Sequence, residues 1–152
     1  STRIAYQPQG GEPVASVVAA APNRFVTQAA VVGNGSTLVW TEAEFSPYDK
    51  VGPGRVMMAP WSSQGPFPIH GTEVAEVDPI TFFVASAAHV AIYDVHQGVI
   101  DIVRLSDGSV STKPSPATGG FFSGLKFVGD DGLGGEALWV NTYDALYRLS
   151  LD

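Results

Sequence analysis

The sequence contains no cysteine, which excludes disulfide bonds, thiolate metal sites and cysteine nucleophiles. Charged residues are also scarce: they make up 15% of the chain, whereas about 25% is usual in a globular domain. No stretch has the ~20 consecutive apolar residues that a membrane-spanning helix needs. The lack of cysteine does not determine the cellular compartment, and a secreted or periplasmic location is compatible with it.

Positive charge is limited and dispersed in a chain whose formal net charge is −7. Nucleic-acid-binding domains concentrate lysine and arginine in a patch or stripe that neutralises phosphates. Here the eight basic residues are spread along the whole chain: Arg3, Arg24, Lys50, Arg55, Arg104, Lys113, Lys126 and Arg148. The sequence therefore argues against a nucleic-acid partner, and the acidity favours solubility.

Glycine and proline are abundant, with 17 and 11 copies, and they separate short apolar and β-branched runs. Glycine and proline at these intervals are typical of many short strands joined by turns, and the pattern predicts an all-β protein. The runs fall into a group of two strands, two groups of four and a group of three. We therefore divide the chain into a half blade at 1–25, blades at 26–76 and 77–120, and an incomplete blade at 121–152.

A short sequence motif recurs along the chain, and its clearest copy is the strand–turn–strand stretch from Ala137 to Leu151. Leu38, Val90 and Leu138 each lead the second strand of a group, roughly 50 residues apart. Arg3–Pro8 and Arg55–Pro60 share an arginine, a β-branched residue and a closing proline. A period of this length with four short strands in each unit is typical of β-propeller blades.

Two of these copies carry a resemblance to a known repeat. Leu38-Val39-Trp40-Thr41 with Arg55–Pro60, and Leu138-Trp139-Val140-Asn141 with Leu146–Leu149, resemble blades of the YWTD/TolB-like β-propeller group. No copy has the complete Tyr-Trp-Thr-Asp string, and the middle unit has Ala91-Ile92-Tyr93-Asp94 instead of the aromatic pair. The resemblance implies antiparallel four-stranded blades in a partial β-propeller.

The predicted strands are too few for a closed propeller, which usually has 4–8 blades of four strands. The chain could be a fragment of a propeller that another chain completes, or copies of it could assemble into a ring. A β-sandwich or a β-barrel would show the same strand rhythm and is the alternative fold. In the first two cases the terminal strands pair with another protein chain or with a homo-oligomer partner.

Loop aromatic residues are the first candidates for a binding site. Tyr48, Trp61 and Phe67 lie in two loops rich in proline, predicted at 43–54 and 60–68, outside the repeated aromatic positions. Aromatic side chains presented by loops on a rigid scaffold commonly contact a partner. We therefore predict that these three residues bind a ligand or partner.

A glycine-rich acidic loop at 129–136 offers carboxylates for a calcium ion: Asp130, Asp131 and Glu136. Calcium takes six to eight oxygen ligands, but the regular aspartate spacing of an EF-hand is missing. The alternative is that these residues only form turns. The three histidines, His70, His89 and His96, are expected at the surface or in hydrogen bonds rather than around a metal.

Catalytic motifs are missing from the sequence, which has no Gly-x-Ser-x-Gly elbow and no Walker phosphate loop. The sequence therefore favours a non-catalytic binding or scaffold module, completed by another chain or by self-association. The alternative function is that of a propeller enzyme, such as a calcium-dependent hydrolase or lactonase, whose site is completed outside this chain.

Overall fold

The fold is described from a computed structural model of the chain. It describes residues 3–6, 9–12, 14–45, 51–77, 82–94, 97–116, 122–130 and 132–151. These residues form thirteen strands and no helix, which confirms the predicted all-β class. Accordingly, no helix in the described part of the chain is long and apolar enough to cross a membrane.

The strands form four separate antiparallel sheets, and within each sheet they follow one another in chain order. Sheet A contains β1 (Arg3–Tyr6) and β2 (Val14–Ala19). Sheet B contains β3 (Arg24–Val32), β4 (Thr37–Phe45), β5 (Val51–Pro60) and β6 (Thr72–Val77). Sheet C contains β7 (Phe82–Ala85), β8 (His89–Asp94), β9 (Val99–Arg104) and β10 (Val110–Pro114), and sheet D contains β11 (Phe122–Val128), β12 (Ala137–Thr142) and β13 (Leu146–Ser150).

This up-and-down order fits the arrangement of propeller blades, in which consecutive strands are neighbours. Sheets B and C have the four strands that the repeat predicts, whereas sheet D has three among the described residues and sheet A has two. The closure of these sheets into a propeller and the division into blades remain predictions. The chain separates into two compact units, Ser1–Pro79 and Ile80–Asp152.

In the first unit, sheet A packs against one face of sheet B. Val17 and Val18 of β2 join a buried cluster with Leu38, Trp40 and residues of β5. A fully buried aliphatic side chain stabilises the fold by about 1.5–3 kcal/mol, so this cluster holds the two sheets together. Gly71 lies against the Trp40 ring so closely that a Cβ atom there would be 2.7 Å from Cζ2.

One strand of the first unit carries a buried carboxylate. Glu42, only 3% exposed, accepts hydrogen bonds from Trp40 Nε1 at 2.9 Å and from Arg55 Nε at 2.9 Å. Arg55 Nη2 lies 2.8 Å from Glu42 Oε2, the oxygen that also accepts from Arg55 Nε. Two nitrogens of the guanidinium group therefore contact one carboxylate oxygen. Buried charges need such partners, because an unpaired carboxylate in the interior is strongly unfavourable.

In the second unit, sheets C and D face each other across a second buried cluster. Ala91, Tyr93 and Ile100 of sheet C meet Leu138 and Val140 of sheet D. Side chains alternate between the two faces of a strand, so Leu138 and Val140 point toward sheet C while Trp139, between them, points away. Sheet D therefore has a second face that is turned away from sheet C.

The predicted loop at 43–54 is wrong in its boundaries. β4 continues to Phe45 and β5 begins at Val51, so much of that range is strand. The glycines and proline of the range suggested a loop, but Ala43 pairs with Gly54 and Phe45 pairs with Val51. Between these pairs one residue of β4 faces two of β5, and such a bulge accommodates Pro53 within a ladder.

Candidate functional site

The loop between β5 and β6 carries two of the predicted binding aromatics. Trp61 and Phe67 lie with their ring centroids 6.1 Å apart, and both are half-buried against the cluster between sheets A and B. The loop is tied to the unit by Ile69 N, which donates to the Val17 carbonyl oxygen at 2.7 Å. Tyr48 lies outside the described residues. Trp61 and Phe67 thus have a packing role, and their role in binding remains a prediction.

The predicted calcium loop is held by its own contacts. Asp130 Oδ1 accepts a hydrogen bond from Gly132 N at 2.9 Å, which is a local turn. Glu136 Oε2 lies 3.0 Å from His89 Nδ1, so it has a side-chain partner. The described residues contain no group of three or more His, Asp or Glu side chains placed to hold a metal ion. Asp131 lies outside them, and the complete site remains a prediction.

Of the histidines, His70 is exposed, and His96 lies outside the described residues. His89 is half-buried and faces sheet D, where its ring stacks on Phe127 with centroids 6.2 Å apart. Its contact with Glu136 joins the start of β8 to the residue before β12. This pair agrees with the expectation that a histidine here is hydrogen-bonded.

A polar pocket of about 310 Å³ lies beside the His89–Glu136 pair. Its walls are formed by His89, Glu136, Arg104, Arg148, Gly134 and Ser150. Arg104 comes from the end of β9, where it pairs with His89 in the ladder, and Arg148 comes from β13. The pocket thus brings residues of sheets C and D to one end of the cleft between the sheets.

The turn after β9 places the carboxylate of Asp107 beside Arg104, a residue of this pocket. Arg104 Nη1 lies 3.5 Å from Asp107 Oδ2, and both side chains are about half exposed. The Ser109 hydroxyl and backbone N–H donate to Asp107 Oδ1 at 2.7 and 2.9 Å. These bonds, with a smaller contribution from Arg104, hold the pKa of Asp107 below its ordinary value.

The face of sheet D that is turned away from sheet C carries an apolar pocket of about 460 Å³. It is lined by side chains of all three strands: Lys126 and Val128 of β11, Trp139 and Asn141 of β12, and Leu146 of β13. Leu146 is 59% exposed, although it is a large apolar residue. Exposed apolar surface that surrounds a pocket is characteristic of interaction sites.

The turn between β12 and β13 presents a tyrosine beside this face. Tyr143 is 93% exposed, whereas its neighbour Thr142 is buried. The Thr142 hydroxyl lies 2.7 Å from Asp144 Oδ1 and 2.9 Å from the Ala145 carbonyl oxygen. Thr142 N also donates to that carbonyl at 2.9 Å. The turn is therefore well fixed, and an exposed tyrosine on a fixed turn is suited to contact with a partner.

The strands at the C-terminal side of the three larger sheets differ in how they meet solvent. β6 carries Glu73 and Glu76, and β10 carries Lys113 and ends at Pro114. Charges and proline are the usual means of preventing a strand edge from pairing with another chain. β13 carries one charged residue, Arg148, but it exposes Leu146 and Tyr147, and β12 is its only neighbour in the described part of the chain.

Sequence reasoning missed the polar pocket, because its residues are separated by long stretches of chain. The repeat does not indicate the His89–Glu136 pair, because His89 lies one residue before Val90 whereas Glu136 lies two residues before Leu138. The two residues are therefore not at matching positions of the repeat. The repeat does not indicate Arg104 or Arg148 either.

Comparison with known proteins adds no relative: no family model, curated protein or solved structure matches the chain.

Proposed function

We propose that this chain is a non-catalytic binding module that recognises an extended polypeptide segment along β13. The segment is supplied by another protein chain or by a second copy of this one. The observation that carries the proposal is the edge strand β13, in which Leu146 is 59% and Tyr147 is 36% exposed. A strand edge offers backbone donors and acceptors, and an added strand satisfies them.

The surface beside β13 is suited to reading the side chains of an added strand. Alternate residues of such a strand point to the face that holds the apolar pocket of Trp139, Leu146 and Val128. We therefore expect a partner segment with an apolar or aromatic residue at every second position. Tyr143 stands at the end of the hairpin and adds contact area for the flanking residues.

An added strand would give sheet D the four strands that sheets B and C already have. A propeller blade has four strands, and the resemblance to such blades assigns the place of the fourth strand to the added segment. A module completed in this way is part of a larger assembly. The loop residues Trp61 and Phe67 provide a second proposed contact surface, in the other unit of the chain.

The experiment compares the wild type with L146K, which places a charge on the proposed edge. A matched control is V110K, because Val110 is 46% exposed on β10, an outer strand of the same unit. Both substitutions are expected to change the free energy of unfolding by no more than about 0.5 kcal/mol, since both positions are exposed. Far-UV circular dichroism verifies that each variant is folded.

Self-association is measured by sedimentation velocity from about 1 μM to about 200 μM. Peptides displayed on phage are selected in parallel for binding to the wild type. This selection tests for a partner that is a different protein chain. We expect either self-association or selected peptides, with binding reduced by L146K and unchanged by V110K. A monomer that enriches no peptide, or binding that survives L146K, would contradict the proposal.

A further inference from the structure

We propose that the polar pocket between sheets C and D binds a small molecule through a phosphate or carboxylate group. The site has a different lining from the apolar pocket of sheet D, although its Arg148 and Ser150 belong to β13. At about 310 Å³ the pocket is at the small end of the range for ligand sites, so a small molecule fits it better than a polymer.

The charges of the pocket carry the inference. The whole chain has eight lysine and arginine residues and a formal net charge of −7, yet Arg104 and Arg148 line the same pocket. Each guanidinium group is a rigid planar fork of N–H donors, and this geometry matches the oxygens of phosphate and carboxylate groups. Among the described residues, Glu136 is the one carboxylate of the lining, and His89 contacts it at 3.0 Å.

The geometry of the walls keeps these groups in place. His89 is held between Glu136 and the Phe127 ring, on which it stacks. Arg104 is held at 3.5 Å from Asp107, whose carboxylate is in turn bonded by Ser109. The Arg148 guanidinium reaches the glycine-rich loop, where Nη2 lies 3.9 Å from the place of a Cβ atom on Gly134. Fixed side chains lose less entropy when a ligand binds.

The His89 ring is a further polar group in the wall of the pocket. When Nδ1–H donates to Glu136, the other ring nitrogen is an acceptor, and it becomes a donor only when the ring is protonated. The charged groups around the ring are Glu136 before β12, Arg104 on β9 and Arg148 on β13.

The test is isothermal titration calorimetry at a fixed neutral pH with sodium sulfate, which is a dianion there, and with succinate. Sulfate represents an inorganic or phosphate-like group, and succinate represents a carboxylate on a small molecule. The variants are R148Q and R104Q, which remove a charge but keep a similar length. The control is K126Q, because Lys126 is exposed and lies in the other pocket.

We expect wild-type binding in the millimolar range, about tenfold weaker in either arginine variant and unchanged in K126Q. Arg104 is half-exposed, so R104Q gives a result even if R148Q does not fold. A preference for succinate assigns the site to carboxylates, and a preference for sulfate assigns it to phosphate-like groups. The proposal is overturned if neither probe binds at about 10 mM, or if K126Q weakens binding as much as R104Q.

Discussion

His89 Nδ1 lies 3.0 Å from Glu136 Oε2, and this contact connects two sheets across residues that are 47 positions apart. Both side chains are mostly buried, with exposures of 15% and 24%. The pair stands at the rim of the apolar cluster between sheets C and D, where His89 also stacks on Phe127. The packing of the second unit thus ends in a polar contact that borders a pocket.

The first prediction concerns this contact. In a double-mutant cycle with H89Q and E136Q, we expect a coupling energy of about 0.5–1.5 kcal/mol, because a half-buried hydrogen bond joins the two side chains. The free energy of unfolding is measured with urea at a fixed pH. Effects of the two substitutions that add to within about 0.3 kcal/mol would show that the residues act independently.

The second prediction concerns the buried carboxylate of sheet B. We expect E42Q to destabilise the first unit by about 3–5 kcal/mol, because it leaves the Arg55 guanidinium without its closest charged partner. Among the described residues, the charged partner that Arg55 then keeps is Glu73, at 3.6 Å. The measurement is the midpoint of urea unfolding, followed by tryptophan fluorescence because Trp40 donates to Glu42.

The matched control for this prediction is E44Q. Glu44 lies on the same strand, but its side chain is 46% exposed and its distance to Arg24 is 3.9 Å. We expect E44Q to change stability by less than about 0.5 kcal/mol. Equal effects of the two substitutions on stability would mean that the buried contacts of Glu42 do not stabilise the protein.

The third prediction concerns the close approach of Gly71 to Trp40. We expect G71A to destabilise the protein by about 1–3 kcal/mol, because the added methyl group enters space that the buried ring occupies. The control is G129A, where no atom lies within 4 Å of the added carbon. Thermal unfolding compares the two, and a Tm of G71A at or above that of G129A would contradict the packing.

The fourth prediction concerns the turn after β9. Ser109 is the largest cause of the low pKa of Asp107, so we expect S109A to raise that pKa toward its ordinary value of 3.8. A depressed pKa means that Asp107 contributes stability above its ordinary pKa and loses it as the pH falls through the lower folded-state value. Carboxyl chemical shifts in an NMR titration measure the change, and an unchanged pKa would reject Ser109 as its cause.

Much of the strand order was predictable from the sequence, because alternating apolar residues and turn residues are local signals. Leu38, Val90 and Leu138 were predicted to lead second strands, and each is the second residue of β4, β8 or β12. The region 43–54 failed because Gly52, Pro53 and Gly54 suggest a loop locally, whereas pairing with β4 extends the strand through a bulge. Pairing with a neighbouring strand determines the strand bounds in that region, and the sequence of a single segment does not show this pairing.

The candidate sites were less predictable, since each depends on which residues meet in space. The exposure of Leu146 could not be foreseen, because a leucine at an aligned repeat position is usually expected in a core. Trp61 was predicted from its loop position, but the structure also packs it against the cluster of the first unit. Arg104 and Arg148 meet only through the packing of two sheets.

The central claim is that β13 is the binding edge, and amide hydrogen exchange tests it most directly. Exchange is compared for the protein alone and with a selected peptide bound, or below and above the concentration of self-association. We expect slower exchange of amides in Leu146–Ser150, since an added strand protects an edge. Protection confined to the loop around Trp61 and Phe67, with β13 unchanged, would contradict the claim.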